Sequence, residues 1–259
     1  MIELNHRKKL MAINLKDIYF AHSIIKEDPG YDVVYYFHCN EQGPDSTIFN
    51  TIFIDLKQSE EEILNQFNKT NRSLIKKLFK NNDFNIAITD CPTETEIEEF
   101  VEFYDMFAKK KGINRADKKL LYRLNDISSL SIGKAYHEGD LLSSMVFIKN
   151  KERVTGQYEG SGRFFFPENP HKVKMASKAN RILEYMCMLH FKKEGLKIYD
   201  LGGVTLDPND IEKANIDMRK KGFGGELVKE YHFMYPLTLK GKIFIYLKKF
   251  SEKLRRNSK

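Results

Sequence analysis

Short runs of β-branched and aromatic residues open this chain, and longer stretches with an apolar residue at every third or fourth position follow them. Val33-Val34-Tyr35-Tyr36-Phe37 and residues 48–56 predict strands, divided by the turn residues Asn40, Gly43, Pro44 and Asp45. Ser59 predicts a helix start, because its hydroxyl can cap free backbone N–H groups and Glu60, Glu61 and Glu62 suit the positive end of the helix dipole. Ile63, Phe67, Leu74 and Leu78 continue at helical intervals, with a drift in phase across residues 68–72. A strand over 84–89 leads to an amphipathic helix over 93–111, whose apolar side carries Ile97, Phe100, Val101, Tyr104 and Phe107. Gly112 tolerates the left-handed conformation that ends such a helix, and a shorter helix is expected over 117–124.

Three strands are predicted over 131–137, 142–148 and 154–160, joined by hairpin turns at 138–140 and 149–152. A loop at 167–170 precedes the strongest helix pattern, over 174–194, with Ala179, Ile182, Leu183, Met186, Leu189 and His190 along one stripe. Gly195 stops it, and 197–201 reads as a strand running into Gly202-Gly203. A helix over 207–221 and two further strands reaching Tyr235 complete the pattern. The tail, 237–259, predicts a basic amphipathic helix. Ile243, Phe244, Leu247, Phe250 and Leu254 alternate there with Lys240, Lys242, Lys248, Lys249, Lys253, Arg255 and Arg256. Two readings of it stand: a helix packed on its own domain with a solvated basic face, or one drawn to an anionic lipid surface or a phosphate-rich substrate.

Composition narrows this picture. With 259 residues the chain suffices for one large domain or two small ones, and 41% hydrophobic residues beside 31% charged exclude a disordered segment. The net charge of +7 is compatible with phosphate-bearing partners and equally with a generally lysine-rich composition. Cys39, Cys91 and Cys187 are far apart and the histidines are scattered, so no metal-ligand spacing appears and free thiols in a reducing compartment are expected. Residues 1–10 are polar and basic rather than a secretory leader, and no apolar run reaches membrane-spanning length. A cytoplasmic protein is expected.

The element order over 84–235 resembles the GNAT acyltransferase fold, an α/β (α+β) architecture with a mixed, mostly antiparallel sheet splayed between its fourth and fifth strands and flanked by helices. Local motifs sharpen the likeness. Ser177-Lys178-Ala179-Asn180 opens the long helix, and Gly195-Leu196-Lys197-Ile198-Tyr199-Asp200-Leu201-Gly202-Gly203-Val204 closes the unit. Then comes Arg219-Lys220-Lys221-Gly222-Phe223-Gly224-Gly225-Glu226-Leu227-Val228. Upstream stand Ile54-Asp55-Leu56, Ser59-Glu60-Glu61 and Lys69-Thr70-Asn71-Arg72. In this order they resemble the FemAB-like transferases, which extend cell-envelope precursors. The chain departs from that pattern in three ways. Arg219 stands where the family has an aromatic residue, the N-terminal part is short, and the pyrophosphate loop Q/R-x-x-G-x-G/A of CoA-dependent relatives is missing between Phe164 and Ala179.

The resemblance implies Lys220 as a catalytic cation that stabilises a developing oxyanion, against the alternative of a solvated basic helix end. Asp200, before two glycines, is a candidate proton acceptor or a residue that holds the turn. Gly202 and Gly203 suit a backbone lying close to a ligand. On the acceptor side the implied residues are Lys69, Arg72 and Lys76, with Tyr158, Glu159, Arg219 and Phe223 lining the cleft. Lys174, Ser177, Lys178 and Asn180, at the start of the long helix, are the donor-side candidates. The implied organisation is a reduced N-terminal part (1–82), a GNAT-like domain (83–236) and the basic helix (237–259). The implied function is direct transfer of an aminoacyl group from aminoacyl-tRNA to an amine of an envelope precursor, without a tightly bound cofactor or a metal. An acyl-CoA-dependent N-acyltransferase acting on an amino sugar is the alternative, and a non-catalytic basic module is the third reading.

Overall fold

The computed structural model describes residues 1–8, 12–207 and 210–257. The side chains of Glu212, Glu252, Lys253 and residues 255–257 lie outside the description. So do parts of four sequence expectations: Leu10 in the N-terminal stretch, Pro208 and Asn209 in the helix expected from 207, Ser258 and Lys259 in the tail, and the Lys253, Arg255 and Arg256 side chains of its basic face. The chain forms two compact units, one of residues 1–50 with 228–259 and one of residues 51–227.

In the first unit the sheet order is β1 (Ile2–Lys8), β2 (Ile13–Tyr19), β3 (Val33–Cys39), β10 (Glu226–Pro236). β1 and β2 were not legible in the sequence, because polar residues interrupt both. The two strands expected before Tyr235 are one continuous strand, β10, which pairs antiparallel with β3 through Met234 and Tyr35. β2 and β3 run parallel. Alternation along these strands makes two faces. Ile13, Leu15 and Val33 pack under Phe244 and Ile245 of the C-terminal helix α7 (Leu239–Asn257), while Ile18, Val34, Tyr36 and Phe233 pack together in a separate cluster.

The second unit carries the order β4-β9-β8-β7-β6-β5, with residues 51–55 of β4 (Thr47–Asp55) in it. β5 (Asn85–Asp90), β6 (Leu130–His137), β7 (Asp140–Lys149) and β8 (Arg153–Ser161) pair antiparallel in sequence order. β8 and β9 (Ile198–Val204) are parallel and share three register pairs that end at Thr155 with Asp200. Beyond that pair the strands part, β8 running on to Ser161 and β9 to Val204. This parting is the splay expected from the element order.

Helices cover both faces of this sheet. α3 (Glu94–Lys111) and α4 (Lys118–Asp126) lie on one side, where Lys134 Nζ donates to Glu99 at 2.7 Å. α5 (Pro170–Lys193) lies on the other, close enough that Gly133 faces Cys187 and Leu183. α5 starts four residues earlier than its apolar pattern, since Asn169 caps it and Pro170 occupies the first turn. Its buried stripe is rotated from the expected one: Cys187, Met188 and Phe191 are buried, whereas Met186, Leu189 and His190 are half-buried. The phase drift at 68–72 is a break between two helices, α1 (Glu60–Gln66) and α2 (Lys69–Asn81), where Asn68 caps the second by accepting from the Asn71 N–H at 2.8 Å. Both helices pack into the core of this unit through Ile63, Phe67, Ile75 and Leu78.

The run Gly222-Phe223-Gly224-Gly225 proves to be a packing device. Phe223 is fully buried against Phe67, and the Asn68 N–H donates to the Gly222 carbonyl at 2.9 Å. At Gly224, with φ +75°, a Cβ atom would sit 2.7 Å from the Gln66 carbonyl oxygen. Backbone cannot retreat as a flexible side chain would, so Gly224→Ala combines left-handed strain with overpacking. It should cost about 2–4 kcal/mol of stability, read as a lower urea midpoint at unchanged slope. A midpoint equal to that of the parent chain would show that the turn relaxes freely.

Candidate functional site

The parting of β8 from β9 leaves a cavity of about 570 Å³ in the second unit, walled by α3, β8, α5 and α6 (Ile211–Lys221). Strand alternation decides which residues of β8 face it. Glu159 and Ser161 line the wall, while Tyr158 points to the opposite face. There Tyr158 packs on Phe100 and Tyr104 and its hydroxyl accepts from the Asp117 N–H at 3.1 Å. Tyr158 is thus part of the α3 packing and not of the cleft.

α6 delivers the two basic residues of the motif. Asp217 accepts from the backbone N–H groups of Thr205 at 3.1 Å and Leu206 at 2.9 Å, tying this helix to the end of β9. One turn of that tether brings Arg219 and Lys220 to the wall. The Arg219 guanidinium donates to Glu159 and lies 3.6 Å from Glu184, a buried residue of α5. The Tyr199 hydroxyl donates to the other oxygen of Glu184 at 2.7 Å, and Asn180 Nδ2 donates to Glu159 at 2.8 Å. Burial pushes the Glu184 carboxyl above the usual carboxylate range, against the pull of Arg219. Burial also works against the charge of Arg219, but Glu159 and Glu184 outweigh it and hold the guanidinium above its ordinary value.

Lys220 Nζ donates to the Gly203 carbonyl at 2.8 Å, and burial draws its pKa below the ordinary lysine value despite Glu159 nearby. Gly202 adopts φ +75°, and a Cβ there would lie 3.3 Å from the Gly156 carbonyl oxygen and 3.4 Å from Lys220 Nζ. Gly202 therefore serves the left-handed turn beside which the lysine lies, and Gly203 contributes its backbone carbonyl.

Two buried polar atoms behind this wall have no hydrogen-bond partner: Arg219 Nη1, which lies 3.6 Å from Glu184, and Asn180 Oδ1. The orientation of the Asn180 amide follows from Glu159. An ionised carboxylate only accepts, so the NH2 group must face it and the carbonyl oxygen turns away. The wall thus brings two cations, Arg219 and Lys220, beside the carboxylate of Glu159. Phe107, Ile113 and Ile216 make an apolar side, and Lys111, Arg163 and Lys213 add positive charge.

Other predicted residues lie elsewhere. Asp200 is fully buried: it accepts from Thr51, from the Arg153 guanidinium and from the Gly202 N–H at 2.8 Å, and so holds the turn before the glycines. That overturns its reading as a catalytic proton acceptor and supports the structural alternative. Phe223 is a core residue and not a cleft residue. Lys69 and Lys76 are exposed and Arg72 donates to the Asn65 carbonyl at 3.2 Å, with none of the three on the cavity wall. On α5, Ser177 and Asn180 are wall residues, whereas Lys174 is exposed and Lys178 turns to Met175. Asn71 of the upstream motif is buried and accepts from Arg181 Nε at 3.2 Å, which joins α2 to α5 behind the wall.

Glu184 was missed in the sequence. Its signal is a carboxylate among the buried positions Ile182, Leu183, Tyr185 and Cys187 of α5. A second cluster shows metal-ligand types, with ligand atoms of Asp90, His190 and Glu194 all within 4.8 Å of one another. Lys149 Nζ bonds to both carboxylates, at 2.7 Å to Glu194, and so takes the cation position itself.

No family model matches the sequence, and no curated protein matches it. Solved structures match in fold. FemX is 13% identical, with a TM-score of 0.58 over 76% of this chain and 63% of the FemX chain, so the chain spans less than two thirds of that protein. The C-terminal domain of a putative lysylphosphatidylglycerol synthetase from Agrobacterium fabrum is 12% identical, with a TM-score of 0.52 over 83% of this chain and 71% of that one.

The buried charges generate a prediction. Arg219→Met removes the cation that Glu159 and Glu184 share and should cost about 3–5 kcal/mol. Adding Glu159→Gln should restore part of the loss, because one uncompensated charge disappears with it. Urea unfolding of the two single variants and the double variant measures this coupling. Additive losses would mean that the two side chains do not interact.

Proposed function

On a FemAB-like, GNAT-type fold, we propose that this chain transfers an aminoacyl group from aminoacyl-tRNA to an amine of a cell-envelope precursor, in the cavity at the parted strands. The observation that carries the reading is the set of side chains gathered on the cavity wall, the cations Arg219 and Lys220 beside the carboxylate of Glu159.

Direct transfer follows from these groups. The acceptor amine attacks the ester carbonyl and a C–N bond forms. The oxygen of the resulting tetrahedral centre takes up negative charge beside Arg219 and Lys220, and an oxyanion is stabilised most by donors already in place. The C–O bond to the donor ribose then breaks. The amine proton passes to Glu159, the one carboxylate among the described residues of the wall, and from there to the leaving oxygen. The positive charge of Lys111, Arg163 and Lys213 and the chain's net +7 favour a donor rich in phosphates. The absence of the Q/R-x-x-G-x-G/A loop between Phe164 and Ala179 favours tRNA over CoA as the carrier.

A thermal-shift titration distinguishes the donors. A ligand at about 100 times its dissociation constant stabilises by roughly 2.7 kcal/mol. Charged tRNA should raise the melting temperature beyond deacylated tRNA at the same salt. A response to CoA and acetyl-CoA instead would transfer the reading to acyl-CoA-dependent N-acylation of an amino sugar.

Lys220→Ala should lower kcat by about 10²–10³ with little change in KM; unchanged turnover removes Lys220 from the reaction and favours a non-catalytic module. The pH dependence has a definite sign. Lys220 acts as a cation and its folded pKa is depressed, so the rate should fall as pH rises through a value below the ordinary lysine range. Lys220→Arg should move that alkaline limb upward, because a guanidinium stays charged.

A further inference from the structure

The C-terminal helix α7 has two apolar faces. Phe244 and Ile245 are buried in the first unit, and the Gly241 backbone presses on Asp32, where no Cβ would fit. These contacts fix which side of the helix turns outward. On that outward side stand Leu239, Ile243, Tyr246, Leu247, Phe250 and Leu254, between 47% and 74% exposed. At roughly 100° per residue they fall within one arc of about 100°, opposite the buried face. The stripe runs about 22 Å along the helix at 1.5 Å per residue. The helix packs on its own unit through Phe244 and Ile245, with exposed lysines beside an outward surface that is apolar.

We infer that α7 seats the protein on an anionic lipid surface, lying in the membrane plane with this stripe among the acyl chains. Charge selects this occupant. The helix sequence holds seven Lys and Arg against one Glu. By angle Lys242 and Lys249 lie on one flank of the stripe and Lys240 on the other, and all three are exposed. Lys249 is held by Asp45 at 2.6 Å, and Lys240 donates to the Ala12 carbonyl at 2.7 Å. A second copy of the same face would bring like charges together, whereas anionic headgroups meet the cations as the apolar residues enter the acyl boundary. No helix among the described residues is long and apolar enough to cross a membrane, so the contact is peripheral.

Vesicle flotation of the full chain tests this, with phosphatidylcholine vesicles that contain phosphatidylglycerol and with phosphatidylcholine alone. Binding is expected on the anionic vesicles and should weaken as salt rises. Leu247→Glu with Phe250→Glu should lower the partition constant roughly tenfold or more, and Lys242→Glu should lower it severalfold. Both positions of the double variant are exposed, so its melting temperature should match the parent's. The chain contains no tryptophan, so Phe250→Trp gives a single reporter whose emission should shift to the blue with anionic vesicles and not with neutral ones. The inference is overturned by unshifted emission, by equal flotation of the double variant, or by a solution dimer that this variant splits into monomers.

Discussion

A guanidinium buried between two carboxylates sets the geometry of the cleft in the second unit. Arg219 reaches from α6 to Glu159 on β8 and to Glu184 on α5, three elements that share no backbone hydrogen bonding where the strands part. A buried charge strongly favours staying paired, because leaving it alone costs several kcal/mol. The ion pair therefore determines how far β8 and α6 stand apart. Around it Asn180 and Tyr199 complete the coordination of the carboxylates. Of its two terminal nitrogens one donates to Glu159, and the other lies buried 3.6 Å from Glu184.

A second buried pair works behind the first. Asp200, in the last register pair of β8 and β9, accepts from Arg153 of the first pair and from the Gly202 N–H. Where parallel pairing stops, backbone groups lose partners, and side chains must supply them if the strand ends are buried. Asp200 does this for the turn that carries Gly203, whose carbonyl in turn receives Lys220. The buried carboxylate and the carbonyl that receives Lys220 thus sit three residues apart on one strand.

The distribution of charge links site and surface. The basic residues of the cavity wall and those flanking the outward stripe of α7 contribute to the same net excess of +7. Composition alone does not distinguish a lysine-rich protein from one built for phosphates. Placement adds to it: Lys111, Arg163 and Lys213 stand beside the cavity, and Lys240, Lys242 and Lys249 flank the apolar stripe of α7.

What the sequence by itself determined is local. Period-two and period-3.6 patterns, the caps Ser59 and Gly112, and the glycine-bounded turns placed most elements of the second unit, because each depends on residues only a few positions apart. The motif lysine and its neighbour were legible too, as Lys220 and Arg219 are adjacent in the chain. Tertiary structure alone decided the rest. Strands β1 and β2 form because partners across the sheet outweigh their polar interruptions. Glu184 joins Arg219 across 35 positions of sequence, and no local pattern shows such a pairing. Tyr158 and Glu159 were indistinguishable as neighbours in the chain; the pleat sends one to the helix α3 and the other to the cavity. Likewise α7 was readable as amphipathic, but only its docking through Gly241, Phe244 and Ile245 settled which apolar residues remain outside.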